Sequence, residues 1–178
     1  AMIPELGQLA LVLALLVATV QGVVPLVGAA RRDATLMAFA RPAAITQFAL
    51  VALAFGCLAA SFLASDFSVA NVAQNSFSAL PAPYKLAASW GSHEGSLLLW
   101  ALMLGGWSCA VALRSKNLPA PMLARVLAVM GLVAVGFLLF LLLTSNPFER
   151  LVPAAAEGRD LNPLLQDPAV ALHPPLLY

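Results

Sequence analysis

The chain has 178 residues, 62% of them hydrophobic and only 10% charged, with a mean hydropathy of +0.93. Soluble globular domains carry about 25% charged residues, so this composition excludes one and describes a chain dissolved in lipid. Nine Lys or Arg against eight Asp or Glu leave a net charge of +1, which excludes a basic nucleic-acid surface as the main theme.

Taken in order, the first uncharged run covers 6–30, long enough to cross a hydrocarbon layer of about 30 Å with tilt to spare. It follows Met2 almost directly, without a basic n-region or a small-residue cleavage site, and reads as a retained helix. Gln8, Gln21 and Pro25 interrupt it, and polar groups at such depth face other helices. After Arg31, Arg32, Asp33 and Arg41, Pro42 suits a first helical turn and a second span runs over 43–64. The loop 65–94 carries Asp66, Lys85 and Glu94 as its charges, and its stretch 67–80 mixes Ser, Asn and Gln with Phe and Val, as a segment lying at the interface does. A third span covers 95–113 and a fourth 126–144, where Asn146-Pro147 stops the helix. Tyr84 and Trp90 suit an interfacial aromatic belt, whereas Trp100 and Trp107, deeper in the third span, suit packing. Cys57 and Cys109 both lie in apolar runs, and no CxxC or CxxCH occurs, so no redox pair or haem-attachment site is present.

Positive residues set the orientation. Arg31, Arg32 and Arg41 follow the first span, and Arg114, Lys116 and Arg125 follow the third, against Lys85 alone between the second and third. This bias places those two loops in the cytoplasm. The N-terminus, the loop 65–94 and the segment 149–178 are then expected outside, with both histidines. The expected fold is all-α: a polytopic helical membrane protein with four transmembrane helices and the start of a fifth, plus short outer amphipathic helices. Residues 1–148 form the bundle, and 149–178 form a periplasmic segment that carries His173 and leads into a further span.

Two stretches hold candidate chemistry. In Trp90-Gly-Ser-His-Glu-Gly-Ser-Leu-Leu-Leu-Trp100, Ser92 suits an N-cap and Glu94 suits the first helical turn. His93 beside Glu94 fits a proton pair or an oriented metal ligand, and equally a decorated helix mouth in water; HExxH is not completed, because residue 97 is Leu. In the tail, Asn162-Pro163 and Asp167-Pro168 each read as a cap followed by proline at the first helical position, placing Leu164, Leu165, Val170 and Leu172 on apolar faces. The last eight residues, Ala171-Leu-His-Pro-Pro-Leu-Leu-Tyr178, fit either a turn back into the membrane or a stiff mount for the imidazole of His173. The residue before a proline avoids the α region, so His173 is expected to end any helix that reaches it. Imidazole is a common haem axial ligand, and one histidine needs a second ligand from elsewhere.

These residues carry a resemblance. The stretch 90–100 resembles the SHEGS segment of the CcmF/NrfE-type cytochrome c haem lyase family. Thr144-Ser-Asn-Pro-Phe148, Gly158-Arg-Asp-Leu-Asn-Pro-Leu-Leu-Gln-Asp-Pro168 and Leu172-His-Pro-Pro-Leu-Leu-Tyr178 are similar to successive blocks of that family, in order along the chain. The family's Trp-rich outer motif (WGxxWxWD), its partner outer histidine and its embedded haem ligands have no counterpart here, so a fragment or one piece of a split protein is expected. The resemblance implies a haem-handling subunit of the cytochrome c synthetase in the bacterial inner membrane. Such a subunit accepts haem b from the chaperone CcmE and promotes its attachment to apocytochrome c, beside a CcmH-type thiol-handling subunit and the remainder of the CcmF-like polypeptide. It implies His173 as an axial ligand of the haem iron and leaves His93 and Glu94 as weaker cofactor-binding candidates. A proton- or quinone-coupled membrane enzyme subunit using His93 and Glu94 is the alternative, and a purely structural subunit is a third reading.

Overall fold

The fold, a computed structural model, describes residues 2–177; Tyr178 at the end of the octapeptide and the side chains of Leu164 and Leu177 lie outside what it describes. The described residues are helical, with an isolated antiparallel bridge between Val69 and Arg150 in place of any strand. Four helices are long and apolar enough to span a membrane: α1 (Ile3–Arg31), α3 (Ala40–Leu63), α6 (His93–Arg114) and α7 (Ala120–Leu143). Hydrocarbon offers no partner for a backbone amide, so a spanning segment closes its own hydrogen bonds as a helix. Three short helices lie between the spans: α2 (Ala34–Ala38), α4 (Ala70–Asn75) and α5 (Ala82–Gly91). The fourth span begins at Ala120 rather than at residue 126, because Pro119 starts it, its carbonyl accepting the amides of Met122 and Leu123 at 3.0 Å each, and Arg125 does not break it. The segment after Arg32 is helical because the Asp33 carboxylate caps α2, accepting from the amides of Thr35 (2.8 Å) and Leu36 (3.2 Å).

The chain divides into two compact units. The first holds Ala10–Ala52 and Ala101–Phe140. Its core joins Ala40 and Ala44 of α3, Ala112 of α6, and Leu123 and Leu127 of α7. Small side chains let the backbones approach, as is usual where helices meet in lipid. At Gly131 a Cβ would stand 2.9 Å from the backbone nitrogen of Gly22, which ties α7 to α1 at van der Waals range. One residue earlier on α1, Gln21 is 1% exposed and its amide donates to Ser108 Oγ (3.0 Å) and to the Leu127 carbonyl (2.8 Å). The guanidinium of Arg41 donates to the carbonyls of Ala112 and Ser115, the latter at 2.9 Å. Those carbonyls end α6, so a cation there answers both orphan acceptors and the negative end of the helix dipole.

The second unit holds Ala1–Leu9, Leu53–Trp100 and Leu141–Tyr178. Within the stretch 67–80, residues 69–73 are buried, with Val69, Val72 and Ser76 fully covered, while Gln74, Ser78 and Ala79 are exposed. The strand-like segment after α7 covers it through its own backbone. Ala70 N donates to Glu149 O (2.8 Å), Leu151 N to Ser68 O (2.8 Å) and Arg159 N to Ala73 O (2.7 Å). Arg150 adds charge to these bonds, paired with Glu5 and with Asp66 at 3.6 Å. Burial pushes the Asp66 carboxyl up, but the hydroxyl and amide of Ser68 and the Arg150 charge together hold it below its ordinary value. Glu157 is likewise held low, chiefly by the Ser78 hydroxyl at 2.7 Å, then by the amides of Gly158 and Ser78.

Both carboxyls are depressed in the fold, so what they add to stability is complete above their unfolded values of about 3.9 and 4.3 and is lost as pH falls through the lower folded values. Amide-exchange protection of Ser68 and Ser78 should therefore stay flat from neutral pH down to about 5 and drop on further acidification, and Asp66→Asn should remove that drop at Ser68. An acid-independent profile in the unaltered protein would contradict this. At the helix contact, Gly131→Val should destabilise the protein by about 1–3 kcal/mol in denaturant unfolding, an overpacking effect, while Gly136→Ala, with open space at its Cβ, should stay near neutral.

Candidate functional site

Two motifs separated by some eighty residues of chain meet in the second unit. The first is a tight corner between α5 and α6. Ser92 ends α5 with extended backbone and caps α6: its Oγ accepts from Gly95 N at 3.0 Å and its carbonyl from Ser96 N at 2.9 Å. His93 therefore opens α6, with Glu94 in the first turn against the positive end of the dipole. The His93 side chain is exposed, its Nδ1 3.3 Å from the hydroxyl of Ser145, and Glu94 is half-buried.

The second motif is the tail. A single 3-10 turn over Pro163–Gln166 leads to α8 (Pro168–Leu177). Asp167 caps α8, its carboxylate accepting from Ala169 N at 2.8 Å and its carbonyl from Ala171 N at 2.9 Å. The structure corrects one expectation here. His173 does not end the helix: α8 continues through it and through Pro174 and Pro175. The local aversion of a pre-proline residue to the α region costs little enough for surrounding contacts to outweigh it. The chief contact is an indole. Trp90 Nε1 donates to the carbonyl of Ala171 at 2.9 Å, joining the corner motif to the tail. Trp90, expected in an aromatic belt, is half-buried and holds this bond. Gly91 makes room beside it, since a Cβ there would stand 2.6 Å from Leu165 Cδ1.

His173 itself is exposed. Val170 and Leu176, one turn before and after it, share its side of the helix and are 41% and 83% exposed. An imidazole between two uncovered aliphatic side chains suits one axial ligand beside an apolar wall, the arrangement a porphyrin needs. Among the described residues no three His, Cys, Asp or Glu side chains gather as a metal centre. Trp100 and Trp107, expected to pack, are 45% and 66% exposed. The docking of Trp90 and the clearance at Gly91 escape sequence reasoning, because both partners lie in the distant tail.

Comparison with known proteins places these motifs. A family model described as cytochrome C assembly protein matches residues 90–178, from Trp90 of the corner to the end of the tail. The chain is 64% identical over 178 residues to the cytochrome c-type biogenesis protein CcmF of Pseudomonas aeruginosa, covering 99% of this chain and 27% of that protein. It is 55% identical over 178 residues to CcmF of Escherichia coli K12, covering 28% of it. It is 54% identical over 134 residues to a probable cytochrome c-type biogenesis protein NrfE of the same organism, covering 75% of this chain and 24% of that one. The chain thus spans about a quarter of the length of these relatives. A solved structure titled cytochrome c heme lyase CcmF superposes over the whole chain with a TM-score of 0.85 at 27% identity, covering 28% of that structure. With a matching family model, spanning helices and the same fold as a solved relative, the chain is an integral membrane protein that belongs to the CcmF family of cytochrome c assembly proteins.

Proposed function

We propose that this chain handles haem during cytochrome c maturation, with His173 as one axial ligand to the iron. The observation that supports it is the presentation of His173: exposed, mounted on a capped helix, and flanked on its own face by the uncovered side chains of Val170 and Leu176. A neutral imidazole supplies the nitrogen donor, and the aliphatic pair supplies a surface from which water is excluded when a porphyrin plane lies against it. Haem here is cargo as much as cofactor. It is accepted from a periplasmic chaperone of the CcmE kind and passed to the thiols of apocytochrome c, with a CcmH-type subunit presenting those thiols.

Orientation follows the cations. Arg31, Arg32 and Arg41 follow the first span and Arg114, Lys116 and Arg125 follow the third, against Lys85 alone between the second and third. The positive-inside preference puts the ends of the spans near the former in the cytoplasm, and so puts His173 and the N-terminal end of α1 on the periplasmic side of the inner membrane. Residues 1–148 then serve as the transmembrane bundle, and 149–178 as the outer segment leading to a further span.

The alternative, a proton- or quinone-coupled role for His93 and Glu94, is separated by one comparison. In the full-length protein purified with its maturation partners, His173→Ala should lower bound haem, read by Soret absorbance, by about tenfold or more, since even outer-shell changes cost 10–100-fold in metal affinity. His93→Ala should leave at least half of the haem signal. Loss of haem in His93→Ala with full retention in His173→Ala would reverse the assignment.

A further inference from the structure

In an α-helix the carbonyl of residue i accepts from the amide of residue i+4. Pro174 and Pro175 have no amide, so within α8 the carbonyls of Val170 and Ala171 lose their donors. The two cases differ in surroundings. Val170 is 41% exposed, whereas Ala171 is 6% exposed. A buried carbonyl without a partner is strongly disfavoured, and here the Trp90 indole N–H, 2.9 Å away, supplies the missing donor from another helix.

We infer that Trp90 is a positioning residue for His173: its indole stands in for the amide that Pro175 lacks, and so keeps the His-Pro-Pro segment helical with His173 between Val170 and Leu176. Residues 170, 173 and 176 share a face only while this segment stays helical, and an unwound pre-proline turn would swing the imidazole away from the aliphatic pair. The bond depends on two neighbours. Gly91 admits Leu165 at 2.6 Å from where a Cβ would stand, and Asp167 fixes where α8 begins. The link to haem rests on the reading of His173 as ligand; the substitution of one donor for another does not.

The inference is tested by a four-protein cycle in the full-length protein: parent, Trp90→Phe, Pro175→Ala and the double variant. Phenylalanine keeps most of the ring but has no N–H. Alanine at 175 restores an amide four residues after Ala171. Hydrogen exchange of the 168–177 segment should speed up about tenfold in Trp90→Phe, the scale of one lost buried hydrogen bond. In the Pro175→Ala background the same ring change should alter exchange by less than about twofold, because the helix then satisfies its own carbonyl. The haem absorbance spectrum should follow the same pattern, perturbed in Trp90→Phe and restored in the double variant. Equal losses from Trp90→Phe in both backgrounds would reduce the indole to packing and overturn the inference, as would an unchanged exchange rate in the single variant. Should His173→Ala leave the spectrum intact while the exchange cycle shows rescue, the ligand reading fails and the donor substitution stands.

Discussion

Every backbone amide and carbonyl removed from water must find a partner in protein, and this constraint runs through each part of the fold. Along the four spans the helix itself meets it, except at Pro25 of α1, which offers no amide to the Gln21 carbonyl. Elsewhere, where the chain cannot, a side chain does. Arg41 answers the last carbonyls of α6, Asp33 and Asp167 answer the first amides of α2 and α8, and Ser92 answers those of α6. The stretch 67–80 has α4 as its one short helix, and the backbone of 149–159 reaches across to bond it. Trp90 belongs to the same set, with the difference that the group it satisfies was orphaned by a proline, not by a helix end.

That difference gives the tail its character. A helix with two consecutive prolines near its end holds its form through contacts outside itself, so the geometry of His173 is set by α5 as much as by α8. The corner that starts with Trp90 and turns at Ser92 also opens α6 with His93 and Glu94. One short segment thus anchors both histidine-bearing stretches.

The spans were legible because twenty or more apolar residues leave a chain few alternatives in lipid, and their limits moved only where charge was mistaken for a boundary, as at Arg125. The caps at Ser92 and Asp167 were legible too, since a cap is a local bargain between a side chain and amides two or three residues on. The helix through His173-Pro174-Pro175 was not. A rule about adjacent residues was outweighed by a donor eighty-one positions away, and nothing near Trp90 in the chain announces that partner. The burial of 69–73 was hidden for the same reason: mixed polar and apolar residues read alike whether lipid or protein covers them. His173 stood out by its residue type and motif, while its exposed aliphatic neighbours gained meaning only once α8 was seen to be helical.

The central claim is that His173 works in the aqueous phase outside the membrane. A cysteine placed at position 173 in a full-length protein whose other cysteines, Cys57 and Cys109 among them, are replaced by alanine tests it directly. In intact spheroplasts a membrane-impermeant maleimide should label that cysteine as completely as it does after lysis. Labelling that appears only once the membrane is broken would put the imidazole on the cytoplasmic side and contradict the account.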